Sequence, residues 1–194
     1  RLCYFSPLHD SRLPEGCDGI LLGGGYPELH LQELEQNGSM RNEIRTAMEQ
    51  DIPCVAECGG FMYLHETIED QEGQQYRMAG VLPGICINKG KLVRFGYIEL
   101  QEKKLSFLPE GTKIRGHEFH YYDSSDNGED CMAVKPVTGK SYPCVIETQN
   151  RFLGFPHLYY PSNPDFAENF VEKARDFRNR NQSRNQYRNR DRKR

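Results

Sequence analysis

The sequence contains no tryptophan, no CxxC pair, no initiating methionine and no long apolar run. None of its 194 residues lies in a stretch near the roughly 18 apolar residues that a membrane span needs. The opening Arg1-Leu2-Cys3-Tyr4-Phe5-Ser6-Pro7 lacks the layout of a secretory signal and reads as mid-protein sequence. The chain is therefore expected to be a piece of a longer polypeptide. Its seven cysteines, odd in number and irregularly spaced, form no disulfide framework and no zinc pattern. A reducing cytoplasm is the expected location, with no metal and no membrane partner.

What is present is ordinary globular composition, 37% hydrophobic and 27% charged, enough for one domain with a sizeable core. The net charge of −3 hides an asymmetry. Residues 178–194 carry eight Arg and Lys against Asp191 alone, a local +7 that leaves the rest near −10. Such a basic, Asn- and Gln-rich segment buries too little apolar surface to order itself and is expected to be a disordered tail. It could touch an anionic surface, but the acidic body argues against nucleic acid as the partner.

The stretch that organises the chain is Ile52-Pro53-Cys54-Val55-Ala56-Glu57-Cys58-Gly59-Gly60-Phe61-Met62-Tyr63-Leu64. It predicts a short buried strand, an abrupt turn at Cys58 and a helix running to about Glu66. A turn of this kind lifts a nucleophile above a sheet and requires small residues two positions to either side, here Ala56 and Gly60. The helix N-terminus is expected to favour the Cys58 thiolate. Cys54, inside the strand, is expected to be buried and inert. A buried core cysteine in a plain βα turn is the competing reading.

Earlier in the chain, Ile20-Leu21-Leu22-Gly23-Gly24-Gly25-Tyr26 predicts a strand entering a turn whose N–H groups face a cleft, half of an oxyanion hole or a tight turn without chemistry. No Lys-Ser/Thr follows, so it is not a P-loop. Residues 2–5 read as the end of a strand. Helices are expected over 29–34 and over 39–50, the latter capped by Ser39. Short strands are expected near 78–81, 84–87, 93–100 and 112–116. In Arg115-Gly116-His117-Glu118-Phe119-His120-Tyr121-Tyr122 the alternation puts Glu118 and His120 on the face opposite His117 and Phe119. No third ligand stands at metal spacing, so a substrate-side or domain-interface strand is expected. Residues 142–148 and 151–155 form a hairpin with Gln149-Asn150 at the tip, and it delivers His157 where a general base could serve a neighbouring nucleophile. An amphipathic helix over 164–177 carries Phe166, Phe170 and Ala174 on one stripe.

Leu22-Gly23-Gly24-Gly25-Tyr26-Pro27-Glu28-Leu29, Ala56-Glu57-Cys58-Gly59-Gly60-Phe61-Met62-Tyr63-Leu64, Arg115-Gly116-His117-Glu118-Phe119-His120-Tyr121 and Gly154-Phe155-Pro156-His157 occur in this order. That order resembles the glutaminase domain of the cobyrinate a,c-diamide synthase group, class I glutamine amidotransferases. The resemblance covers about residues 4–177. It implies an α/β, flavodoxin-like three-layer sandwich with a mainly parallel central sheet and antiparallel additions, over a domain of residues 1–177. It implies Cys58 as nucleophile, His157 as proton shuttle, and Gly24, Gly25 and Gly59 as oxyanion donors. Tyr26, Glu118 and His120 are the candidate substrate or interface residues. The implied substrate is L-glutamine. The implied partners are an N-terminal amidoligase domain, which would hold ATP and Mg²⁺, and its corrinoid precursor, while this domain itself needs no cofactor. One departure stands out: most triad amidotransferases carry a Glu two residues after the histidine, where this chain has Tyr159. The cobyrinate group lacks that acid, which leaves the orienting group unassigned. Related a,c-diamide synthases acting on hydrogenobyrinate or nickel-sirohydrochlorin, a peptidase-like cysteine hydrolase and a non-catalytic domain are the alternatives.

Overall fold

The structure, a computed structural model, describes the backbone of residues 1–191 and the side chains of residues 1–183. In chain order the elements are β1 (Ile20–Leu22), α1 (Leu31–Gln36), α2 (Gly38–Glu49), β2 (Cys54–Glu57), α3 (Gly59–Leu64), β3 (His65–Glu69), β4 (Gln75–Arg77) and β5 (Leu82–Asn88). They continue with β6 (Arg94–Glu102), β7 (Lys113–His120), β8 (Tyr122–Ser124), β9 (Cys131–Val134), β10 (Ser141–Cys144), β11 (Ile146–Thr148), β12 (Arg151–Gly154), β13 (His157–Leu158) and α4 (Pro164–Asp191).

Three sheets result. The central one runs β1-β2-β12-β11, with β1, β2 and β12 parallel and β11 returning antiparallel through the Gln149-Asn150 turn. The second, β10-β9-β6-β7-β13, is antiparallel throughout. The third, β4-β3-β5-β8, is mixed.

Strand β2 is buried along its whole length because both its faces are covered. Cys54 and Ala56 face the core that holds Met40, Ile44 and Met48 of α2 and Phe61 of α3. Val55 points the other way, into a core shared with Ile98 and Leu100 of β6, Phe152 of β12 and Phe166 of α4. A parallel strand covered on both faces reads as continuous rather than alternating hydrophobicity, as Cys54-Val55-Ala56 does. The layers are thus helices, central sheet, and an antiparallel sheet with α4.

Four local expectations are corrected. Residues 2–5 form no strand, and Leu2 and Tyr4 are exposed. Helix α2 starts at Gly38, and its cap is Asn37, whose side chain accepts from the Met40 N–H. Asn37 outcompetes Ser39 because its amide also donates to Pro7 O and Asp10 O, which ties down the preceding loop. Helix α3 stops at Leu64, where His65 turns extended and opens β3. Helix α4 continues beyond Phe177, and Arg178 pairs with Asp18 at 2.6 Å. The rest of the expected tail falls largely outside the described side chains.

Candidate active site

At the C-terminal end of β2 the backbone of Cys58 takes φ 47° and ψ −108°, a left-handed conformation that a side chain rarely adopts. Its N–H donates to Gly154 O at 2.9 Å, anchoring the turn to the neighbouring parallel strand β12. The turn then packs against the glycine loop after β1. A Cβ on Gly60 would lie 2.4 Å from Leu22 O, and one on Gly59 would lie 2.5 Å from Gly25 O. Gly60 N–H donates to Gly23 O. Among the described residues, the N–H groups of Gly24 and Gly25 have no acceptor. Gly25 thus packs against Gly59 with its own N–H unbonded.

His157 opens β13, which pairs with β7 in the register His157↔His117. Gly116 permits that approach, since a Cβ there would meet His157 O at 2.7 Å. The imidazole lies against Gly24: a Cβ on that glycine would be 2.3 Å from His157 Cε1. The segments 23–25, 57–60 and 154–157 thus adjoin one another. Gly24 and Gly25 line a cavity of about 350 Å³ with Phe5, Tyr26, Gly59 and Tyr63. His157 lines a second cavity of about 710 Å³ with Tyr97, Arg115, His117, Pro136 and Tyr159.

The electrostatics at Cys58 differ from expectation. Burial pushes the Cys58 thiol up to about 11, while the Gly59 N–H opposes and the charges of Glu28, Glu57 and Glu118 add to the rise. A six-residue α3 supplies too little dipole to offset that desolvation. The resting side chain is a thiol, and it needs a base. Burial, with His117 and His120 nearby, moves His157 below its ordinary value, so its imidazole rests neutral and able to accept a proton. Cys54 is fully buried and pushed to about 12, inert as expected.

Tyr26 is two-thirds exposed at the cavity mouth. Glu118 and His120, expected on a substrate or docking face, are buried instead. Glu118 accepts a short hydrogen bond from Tyr142 and draws Arg94 to 3.9 Å, Lys135 to 3.8 Å and His120 to 3.7 Å. His120 stacks on Phe155 at 4.0 Å. Alternation was read correctly, but the polar face of β7 is the inner one, because this cation cluster compensates its carboxylate. The outer face carries exposed Phe95, Tyr97, Phe119 and Tyr121 packed edge to face around His117.

Two features escaped the sequence reading. Glu57 is buried, accepts a short hydrogen bond from the Tyr160 hydroxyl, and has Oε2 3.9 Å from His157 Nδ1. A carboxylate closing an otherwise apolar strand was the available signal. A buried trio of Glu102, Cys131 and Glu147 also converges, with the Cys131 thiol 3.1 Å from each carboxylate.

A family model described as the CobB/CobQ-like glutamine amidotransferase domain matches residues 1–159. The chain belongs to the CobB/CobQ-like glutamine amidotransferase family. Proteins named cobyrinate a,c-diamide synthase are similar to it. That of Dehalococcoides mccartyi is 38% identical over 91% of this chain and 39% of its own length. That of Fusobacterium nucleatum is 42% identical over 85% and 37%, and that of Salmonella typhimurium 38% identical over 88% and 38%. The chain thus spans about two-fifths of the length of these relatives. Among solved structures, a glutamine amidotransferase has a TM-score of 0.57 at 19% identity, over 82% of this chain and 80% of that one. The PurLQS structure from Thermotoga maritima has 0.53 at 19%, over 88% and 83%. Both share the fold of this chain. No helix among the described residues is long and apolar enough to cross a membrane.

Proposed function

We propose that this chain hydrolyses L-glutamine at Cys58 and supplies ammonia for the ATP-dependent amidation of the a and c carboxylates of cobyrinate, a step of cobalamin biosynthesis in the cytoplasm. The Cys58 thiol gives its proton to His157 as the sulfur attacks the side-chain amide carbon. The oxyanion that forms takes hydrogen bonds from the N–H groups of Gly24, Gly25 and Gly59. The C–N bond then breaks, His157 returns the proton to the departing ammonia, and a thioester remains. Water, deprotonated by His157, releases glutamate and restores the thiol. Removing one such donor typically raises the barrier by about 3–4 kcal/mol.

The observation that carries this reading is the junction at Gly24 and Gly25. One glycine touches the His157 ring and the other touches the residue after Cys58. The names of the relatives support the acceptor, although hydrogenobyrinate or nickel-sirohydrochlorin chemistry would use the same glutaminase. In this reading ATP, Mg²⁺ and the corrinoid bind an amidoligase portion that precedes residues 1–177. The exposed aromatic face of β6 and β7, beside the His157 cavity, supports contact with that portion.

Labelling with a glutamine-mimicking electrophile, read by intact mass and peptide mapping, tests the reading. A single adduct on Cys58 is expected, blocked by glutamine, absent in Cys58→Ala and strongly slowed in His157→Ala. Adducts on other cysteines, or labelling that glutamine does not block, would contradict it.

A further inference from the structure

Glu57 immediately precedes the nucleophile and is 8% exposed. A buried carboxylate is costly unless it is paired and hydrogen-bonded, and every partner here comes from one short segment. The Tyr160 hydroxyl donates to Oε1, the Leu158 N–H supports the same carboxylate, and Oε2 stands 3.9 Å from His157 Nδ1. Thus a side chain on the strand that ends at Cys58 holds the segment that carries the histidine. Among the described residues, no other carboxylate comes within 4 Å of that imidazole.

We propose that Glu57 is the positioning residue for His157. It accepts from Nδ1–H, fixes the tautomer that leaves Nε2 open for the thiol proton, and steadies the imidazolium while that proton is held. Burial raises the Glu57 carboxyl, the Tyr160 and Leu158 hydrogen bonds oppose that rise, and Glu57 acts as the carboxylate: the proton moves from sulfur to Nε2 and on to the leaving nitrogen, and the Nδ1 proton does not transfer. The 3.9 Å separation is longer than a hydrogen bond, and contacts of this type tighten when substrate is bound. Tyr160 keeps the carboxylate aimed. Tyr159, at the position where an acid was sought, is largely exposed and takes no part.

This inference rests on the glutaminase reading. Its signature is a split effect, because the same charge that favours imidazolium opposes the thiolate beside it. In Glu57→Gln, glutamine hydrolysis is expected to fall roughly 10²–10⁴-fold in kcat with KM little changed. The acid limb of its pH profile should shift to lower pH, while iodoacetamide alkylation of resting Cys58 becomes faster at a given alkaline pH. Glu57→Asp should recover part of kcat, and Tyr160→Phe should shift the acid limb the same way by a smaller amount. A Glu57→Gln protein with unchanged kcat and limb would overturn the inference. So would one in which hydrolysis and alkylation fall together, as for a merely structural residue. Should Glu57→Gln not fold, an unmoved limb in Tyr160→Phe overturns it. If wild type hydrolyses glutamine and Cys58→Ala does not, only this inference falls; if Cys58→Ala still hydrolyses it, the glutaminase reading falls.

Discussion

At Cys58 a helix N-terminus and the hydrogen bond from the Gly59 N–H pull toward thiolate, while burial and three carboxylates pull toward thiol. Burial wins because the side chain is only 7% exposed. In the proposed mechanism reactivity is therefore conditional: the sulfur becomes nucleophilic only when His157 takes its proton. Correct placement of that ring then matters more than the intrinsic acidity of the thiol. Gly24 sets the placement from one side. Gly24→Ala would put a methyl 2.3 Å from Cε1 and drive the imidazole away. Displacements of about 1 Å cost on the order of 100-fold, so glutamine hydrolysis should drop roughly that far while the circular dichroism spectrum and Tm hold. An unaffected rate would mean that the ring does not sit there during catalysis.

Among the elements, strand β11 and its neighbours hold a second electrostatic feature away from the nucleophile. Burial and the proton-sharing contact with Glu102 push Glu147 up to about 9. Below about pH 4.5 folded and unfolded chains both hold this proton. Between there and about pH 9 the folded chain keeps a proton that the unfolded chain has lost, so this group lowers stability as pH rises across the window. Glu147→Gln keeps an acceptor for the Phe107 N–H and removes the titration. Melting curves from pH 5 to 9 should therefore decline less in Glu147→Gln than in wild type; parallel curves would exclude the shared proton. The elements themselves were only partly legible in the chain. Period-2 alternation placed the faces of β7, and the small residues around Cys58 marked the turn. The caps and ends were less so: Asn37 displaced Ser39 because it reaches Pro7 and Asp10, contacts 30 and 27 residues away. The end of α3 depends on β3 pairing with β5.

For the whole molecule, what sequence could not supply was tertiary in origin. Four short motifs in a fixed order were enough to identify the family and the fold, because each motif is a local geometric requirement. The Glu57 contact joins positions 100 residues apart, and the inward direction of Glu118 depends on Arg94 of β6, Tyr142 of β10 and Lys135 just after β9. Burial, which decides the acidity of Cys58, belongs to the finished core. The account as a whole predicts one spatial relation, an imidazole and a sulfur under a rim of glycine amides. A crystal structure of the chain with Cys58 acylated by a glutamine-mimicking electrophile measures it directly. The expected result has His157 within hydrogen-bond reach of the adduct, at about 3 Å, with the adduct oxygen on the N–H groups of Gly25 and Gly59. An adduct whose oxygen points to solvent, with the His157 ring turned away toward Tyr97, would contradict it.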